Sequence, residues 1–451
     1  SSPVMSTVRK SIFDATQLNL HMSLSVFITA YFVSVTLLYI YSLFGMPVST
    51  TATLVFCLAG GASGVLQSTS AVNWPQFFQI VLAIVFSIFI SGFVAFLSQR
   101  TFRFFLGNQL SDPLIIQKHG SWIASLMLIA LVWFLLAKGM KHIPFVHSFH
   151  EKMTSYLFFT TMISLWLGLT LILRISLKIF GKKLSDKLFH IVAVFGMISM
   201  AFSFGQNDLA NCASPGIAVF MIWSKGLAGS LQMNVPIWSL AFCGFLMFLG
   251  MTTKRAERVS MSEIKTGSQK SNIVLYAPNW CQRAAQALLN FFAKNKTKAS
   301  KNQRKKPETP QTTSHYDPLR ASVILSVSAC VIAMASSQGL PVSTTYVAFA
   351  AVIASAWGDK IFSQEQADLK LGRTIWVISG WFIGALGALL ASFFIALLIY
   401  KTKLIGLTLS LGIFAYFKIT GKKKSEHHAI KYDEVKEHEK ILLRKPIPLN
   451  N

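Results

Sequence analysis

Apolar residues in this chain come in blocks rather than in the alternating or one-sided patterns of a soluble fold. Residues 24–44, 77–97, 122–137, 156–173 and 375–400 are almost uninterrupted hydrophobic runs. A helix rising 1.5 Å per residue needs about 20 residues to cross a hydrocarbon core of about 30 Å. These runs therefore predict membrane-crossing helices, apolar all round. Residues 236–251, 321–336 and 404–417 are shorter apolar runs, as are 50–66 and 342–357. The segment 50–66 contains Gly60, Gly61 and Gly64 and is short for a span. Two further runs, 190–204 and 209–223, flank the polar stretch GQNDLAN at residues 205–211. Between the runs lie polar segments: a loop at 99–120, a connection at 138–152, a basic linker at 174–187, a long loop at 252–320 and a tail at 418–451. The fold class this pattern predicts is an all-α polytopic membrane protein.

Composition agrees and narrows the reading. Hydrophobic residues make up 53% of the 451 and charged residues only 13%, about half the soluble average. The formal net charge of +25 raises the question of nucleic acid. The basic residues sit in the connecting segments, where the positive-inside rule places them on cytoplasmic loops, so no nucleic-acid partner is expected. Residues 252–320 carry 14 Lys/Arg against four acids and are predicted to be a disordered cytoplasmic linker. Within it, residues 280–292 have helical spacing, which suits a helix on the membrane surface or one packed on the protein. Cys57, Cys212, Cys243, Cys281 and Cys330 form no CxxC pair and read as packing residues.

An internal repeat organises the chain. The sequence GMPVSTT at residues 45–51 returns as GLPVSTT at 339–345, 294 residues later. The alignment continues without gaps, placing Gly64 on Gly358 and the run 77–97 on 371–391. Repeats of this kind mark transporter architecture with broken or re-entrant helices. The charges of the linkers favour an inverted second copy. Inversion requires an odd number of crossings in the GQNDLAN region, so a break is expected there, with one of the two runs 190–204 and 209–223 a half-helix lining a protein cavity. The resulting segments are 1–98, the remainder of a first half; 99–187, connecting spans; 188–251, the start of a second half; 252–320, the basic loop; 321–417, the rest of the second half; and 418–451, the tail.

Each PVSTT is a helix start: Pro ends the preceding run and Ser/Thr cap the next helix. The unpaired N–H groups and dipole of such an end make an anion site. Two starts facing each other suit a tetrahedral oxyanion such as phosphate or sulfate; simple capping of a kinked helix is the alternative. Asp208 in an apolar run points to a functional site. An anion beside it needs an intervening cation or a shared proton, unless Asp208 only holds a helix break through the neighbouring amides.

These motifs resemble those of the inorganic phosphate transporter (PiT) family, whose GANDVAN-type and PVSTTH-type motifs each occur in two inverted halves. GQNDLAN is similar to the first and the two PVSTT segments to the second. TVRKSIFD at 7–14 and VPIW at 235–238 match flanking segments. The resemblance implies a symporter of inorganic phosphate driven by Na+ or H+, with no other cofactor. The phosphate-binding residues it implies are Ser49, Thr50, Thr51, Gln206, Asn207, Asp208, Asn211, Ser343, Thr344 and Thr345, with Na+ near Asp208 and Asn211. Three departures stand out: Ala52 and Tyr346 replace the family's usual His, Gln206 stands where Ala is common, and a first GANDVAN copy is missing upstream of Ser1. The last suggests an N-terminally incomplete chain.

The remaining expectations are a multi-pass cell-membrane location with the central loop and tail in the cytoplasm, and as partners phosphate, the lipid bilayer and a homodimer mate. Transport of sulfate, or a non-transporting receptor on this scaffold, are the alternatives. An enzyme is not expected. His142, His147 and His150 with Glu151 fit no metal-site spacing, and no Gly-rich nucleotide loop occurs.

Overall fold

A computed structural model describes residues 12–14, 17–107, 112–134, 155–225, 236–268, 275–294, 316–361 and 367–420, together with Val4 and Thr7. The helices are α1 Leu20–Leu43, α2 Thr50–Leu66, α3 Trp74–Leu106, α4 Pro113–Trp133, α5 Ser155–Phe180, α6 Leu188–Lys225, α7 Ile237–Met251, α8 Lys254–Thr266, α9 Asn279–Lys294, α10 Pro318–Ser337, α11 Thr344–Gly358, α12 Ala367–Thr402 and α13 Leu404–Thr420. Among the described residues seven helices are long and apolar enough to span a membrane, eight if the bent pair α7–α8 counts as one. The fold is that of an all-α polytopic membrane protein.

The repeat is visible as one turn built twice. Gly45 has φ +58° and Gly339 φ +74°, a conformation glycine adopts without a Cβ penalty. Each closes the preceding helix in a Schellman motif. The N–H groups of Gly45 and Met46 donate to Ser42 and Tyr41, and those of Gly339 and Leu340 to Ser336 and Ala335. The next helix then starts on a serine cap. Ser49 Oγ accepts from the Ala52 N–H at 3.0 Å and Ser343 Oγ from the Tyr346 N–H at 3.1 Å. So α1–α2 and α10–α11 are matching hairpins, followed by the matching long helices α3 and α12.

The copies interlock by exchange. Helix α2 of the first packs on α12 of the second, and α11 of the second on α3 of the first. A Cβ at Gly64 would run into the Phe393 carbonyl, and one at Gly358 would meet Gln99 at 3.1 Å. These contacts are mates at the repeat offset, since Gly64 aligns with Gly358 and Gln99 with Phe393. Such reciprocity is what a local two-fold relation produces.

Several helices outrun their predicted bounds. Helix α3 continues through Leu106 and α5 through Phe180, so the loop expected at 99–120 and the linker at 174–187 are partly helical. In both, basic residues sit on helix ends, where Arg103 and Lys178 occupy last turns and favour the negative end of the dipole. The expected disorder of 252–320 is corrected for α8 and α9. Helix α9 packs on α12 with Cys281 and Ala285 buried, the protein-packed of the two readings. The stretch KNQRKKPETPQTT, the tail beyond residue 420 and the histidines 142, 147 and 150 lie outside the described residues.

The largest correction concerns GQNDLAN. No break occurs there: α6 is a continuous 38-residue helix, with Pro215 inside it. At 1.5 Å per residue it is about 57 Å long. The polar side chains are satisfied sideways, by the neighbouring helix starts, and the backbone need not open. A single helix also meets the requirement for an odd number of crossings.

Candidate functional site

The middle of α6 faces the two repeated turns. Thr50 Oγ1 donates to Asp208 Oδ1 at 3.1 Å and Thr344 Oγ1 donates to Asp208 Oδ2 at 2.7 Å. The two threonines are the same position of the two repeats and the first residue of α2 and of α11. One carboxylate thus sits between two helix N-termini, each contributing a hydroxyl and the positive end of a dipole. Each end typically stabilises an anion by about 0.3–1 kcal/mol, and up to about 2 when partly buried. That offsets much of the cost, about 2.5–3.5 kcal/mol, of placing a carboxylate within a membrane helix.

The other motif residues brace this arrangement. Thr51 Oγ1 donates to the Val342 carbonyl at 2.8 Å, and its repeat mate Thr345 donates to the Val48 carbonyl at 3.4 Å. Each turn is thereby tied to the other. Asn207 is buried and holds Val342 on both sides: Nδ2 donates to its carbonyl at 2.7 Å and Oδ1 accepts its N–H at 3.3 Å. Asn211 Nδ2 donates to Thr51 Oγ1 at 2.6 Å, while Asn211 Oδ1 is buried without a hydrogen-bond partner.

The ten residues of the implied site therefore fall into groups. Thr50, Thr344 and Asp208 form its centre. Asn207, Asn211, Thr51 and Thr345 form a frame around it. Ser49 and Ser343 are buried, and their hydroxyl oxygens are engaged as helix caps, the alternative that the sequence left open. Gln206, one residue before Asn207, is half-buried.

Sequence reading missed a second set of polar residues. Arg103 on α3 pairs with Asp317 and Asp359, with Nε 3.1 Å from Asp359 Oδ1. Asp317 caps α10 and Asp359 ends α11. Arg320 is fully buried, with Nε donating to Ser355 Oγ at 3.0 Å and Nη2 to the Val352 carbonyl at 2.9 Å. The signal was present in the repeat alignment. The first-copy mates of Asp317, Arg320, Ser355 and Asp359 are Ser23, Val26, Gly61 and Val65, so charge appears in one copy only.

The profile of the Phosphate transporter family matches residues 1–260, more than half of the chain. The chain belongs to this family. The phosphate transporter family is a family of transporters, not of enzymes. Among the relatives of this family member, a protein named as a phosphate permease in Thermococcus kodakarensis is 29% identical over 221 residues, covering 47% of this chain and 50% of that protein. One from Pyrococcus horikoshii, also named as a phosphate permease, is 29% identical over 259 residues, covering 55% and 60%. The human sodium-dependent phosphate transporter 2 is 26% identical over 214 residues, covering 47% and 25%. The chain thus spans between a quarter and three-fifths of the length of these relatives. A solved structure, that of the sodium-dependent phosphate transporter, superposes with a TM-score of 0.60 at 18% identity, covering 89% of this chain and 85% of that one. The fold is shared.

Proposed function

We propose that this protein carries inorganic phosphate across a membrane in symport with a cation, and that the site is built around Asp208. The observation that supports this reading most is the pair of matched hydroxyls, Thr50 and Thr344, that meet on one carboxylate. In this arrangement Asp208 takes the seat an oxyanion would take between two helix ends. Phosphate arriving beside an ionised Asp208 meets repulsion. At 4 Å and an effective dielectric constant of about 20, two unit charges repel by about 4 kcal/mol, close to a thousandfold in affinity. A cation bound to the carboxylate removes that penalty and frees both threonines for the oxyanion. Anion binding is then coupled to cation binding by charge alone.

Na+ is the coupling ion we favour over H+. The buried, unpartnered Asn211 Oδ1 is a carbonyl ligand of the hard-oxygen type that suits it, and several relatives are named as sodium-dependent. We further propose that the two hairpins are inverted in the membrane. If α3, α4, α5, α6 and α7 each cross once and each hairpin returns to the side it started from, an odd number of crossings separates the copies and inverts the second. The basic residues 252–320 then face the cytoplasm.

Uptake of labelled phosphate into proteoliposomes under separate Na+ and proton gradients tests the reading. Uptake should rise with a Na+ gradient and be left unchanged by excess sulfate. Phosphate binding without uptake would make the protein a receptor, and competition by sulfate would replace phosphate as the substrate.

A further inference from the structure

The two hairpin turns are alike in backbone and unlike in what holds them. The first turn, residues 45–49, is gripped by side chains outside both motifs. Arg373 Nη2 donates to the Gly45 carbonyl at 2.9 Å and also to Ser262 Oγ at 2.8 Å on α8. Trp381 Nε1 donates to the Pro47 carbonyl at 3.1 Å. The Tyr346 ring lies flat on Trp381, with centroids 3.8 Å apart and planes at 20°. Tyr41, just before the turn, donates to the Gly380 carbonyl at 3.1 Å.

At the repeat offset the mates of Arg373, Trp381, Tyr346 and Tyr41 are Gln79, Ser87, Ala52 and Ala335. Gln79 is exposed and Ser87 donates within its own helix, to Ile84. Neither alanine has a donor to offer. The second turn is instead held across elements through Val342 and Thr344, by Asn207, Thr51 and Asp208. Those are residues of the site itself. The ends of the second hairpin away from its turn are pinned to α3, since Arg103 pairs with both Asp317 at the start of α10 and Asp359 at the end of α11.

We infer that the α10–α11 hairpin is the moving half of the site and α1–α2 the fixed half, with Arg373, Trp381 and Tyr346 as positioning residues for Ser49–Thr51. The second hairpin pivots about its Arg103-bound base, and its turn carries Thr344 towards or away from Asp208. The inference rests on the reading of Asp208 as the ligand-sensitive centre. A cation or oxyanion that rearranges Asp208 reaches both helix starts, through Thr50 and Thr344. The turn before α2 keeps its Arg373 and Trp381 anchors outside the site, while the turn before α11 is held across elements by site residues.

Hydrogen exchange followed by mass spectrometry on the full chain in detergent compares the two first turns, residues 51–54 and 345–348. They are sequence mates with the same cap, so each controls for the other. In ligand-free protein the α11 amides should exchange about tenfold or more faster than those of α2. Inorganic phosphate with Na+ should slow the α11 amides by a larger factor than those of α2, whose turn is already anchored by Arg373 and Trp381. Trp381→Phe and Arg373→Gln should raise exchange in α2 towards the α11 rate and leave α11 within about twofold. Equal rates in the two turns of the unmodified protein, or faster exchange in α2, would overturn the inference. So would the variants if they fold and leave α2 unchanged. Asymmetry that persists without any response to phosphate supports the fixed and moving assignment and counts against phosphate as the ligand.

Discussion

Asp208 is held by two threonines that the repeat makes equivalent, so their removal should be equivalent too. Thr344→Val keeps the shape and deletes one hydroxyl. A hydrogen bond to a charged group contributes about 1.5–3 kcal/mol, so the Kd for phosphate should rise by roughly ten- to a hundredfold. Thr50→Val should do the same within a factor of a few, although its bond is the longer at 3.1 Å against 2.7 Å. Equilibrium binding of labelled phosphate to the purified variants checks this, and an effect confined to one threonine would deny the symmetry. Much of this centre was legible beforehand, because an aspartate in an apolar run and two PVSTT copies each ask for a partner. That they are one another's partners was not legible. Sequence spacing says nothing about which polar group in a helix faces which helix end 158 or 136 residues away.

Among elements, the repeated turn shows why local rules served well. Gly45 and Gly339 end helices, Ser49 and Ser343 start them, and both roles are properties of a few adjacent residues. Ser49→Ala should cost about 1 kcal/mol, a typical price for a lost cap, seen as a lower apparent melting temperature in detergent. Gly64→Ala should cost more. Its Cβ would strike the Phe393 carbonyl on α12, and overpacking typically costs about 1–3 kcal/mol. Gly358→Ala should be milder, because its Cβ would meet Gln99 Cβ at 3.1 Å, a tight contact rather than an overlap with backbone. Equal destabilisation by the two would show that the hairpins pack alike. Helix ends at 99–106 and 174–180 escaped the sequence reading because a helix need not stop where its apolar run stops. GQNDLAN failed as a predicted break for a related reason: polar side chains inside a membrane helix can be satisfied by other helices.

For the whole molecule, the reciprocal packing of α2 on α12 and α11 on α3 fits the gapless sequence repeat, but the charges break that symmetry. Arg103→Met leaves Asp317 and Asp359 without their shared cation. Breaking a buried pair costs about 3–5 kcal/mol, and the partial exposure of these groups argues for the lower end. The melting temperature should fall clearly more than for Leu397→Met, the change at the repeat mate. An equal fall would mean that the ion pairs contribute nothing there. The cluster was readable only by comparing the copies position by position, because each residue alone resembles an ordinary loop charge.

The account turns on Asp208 as the group that couples a cation to an oxyanion, and Asp208→Asn tests it most directly. Asparagine keeps the shape and an acceptor for one threonine while removing the charge. Measured as labelled-phosphate uptake into proteoliposomes at matched protein density, the wild type should respond to an imposed Na+ gradient and the variant should not. Na+-driven uptake in Asp208→Asn at the wild-type rate would contradict the account.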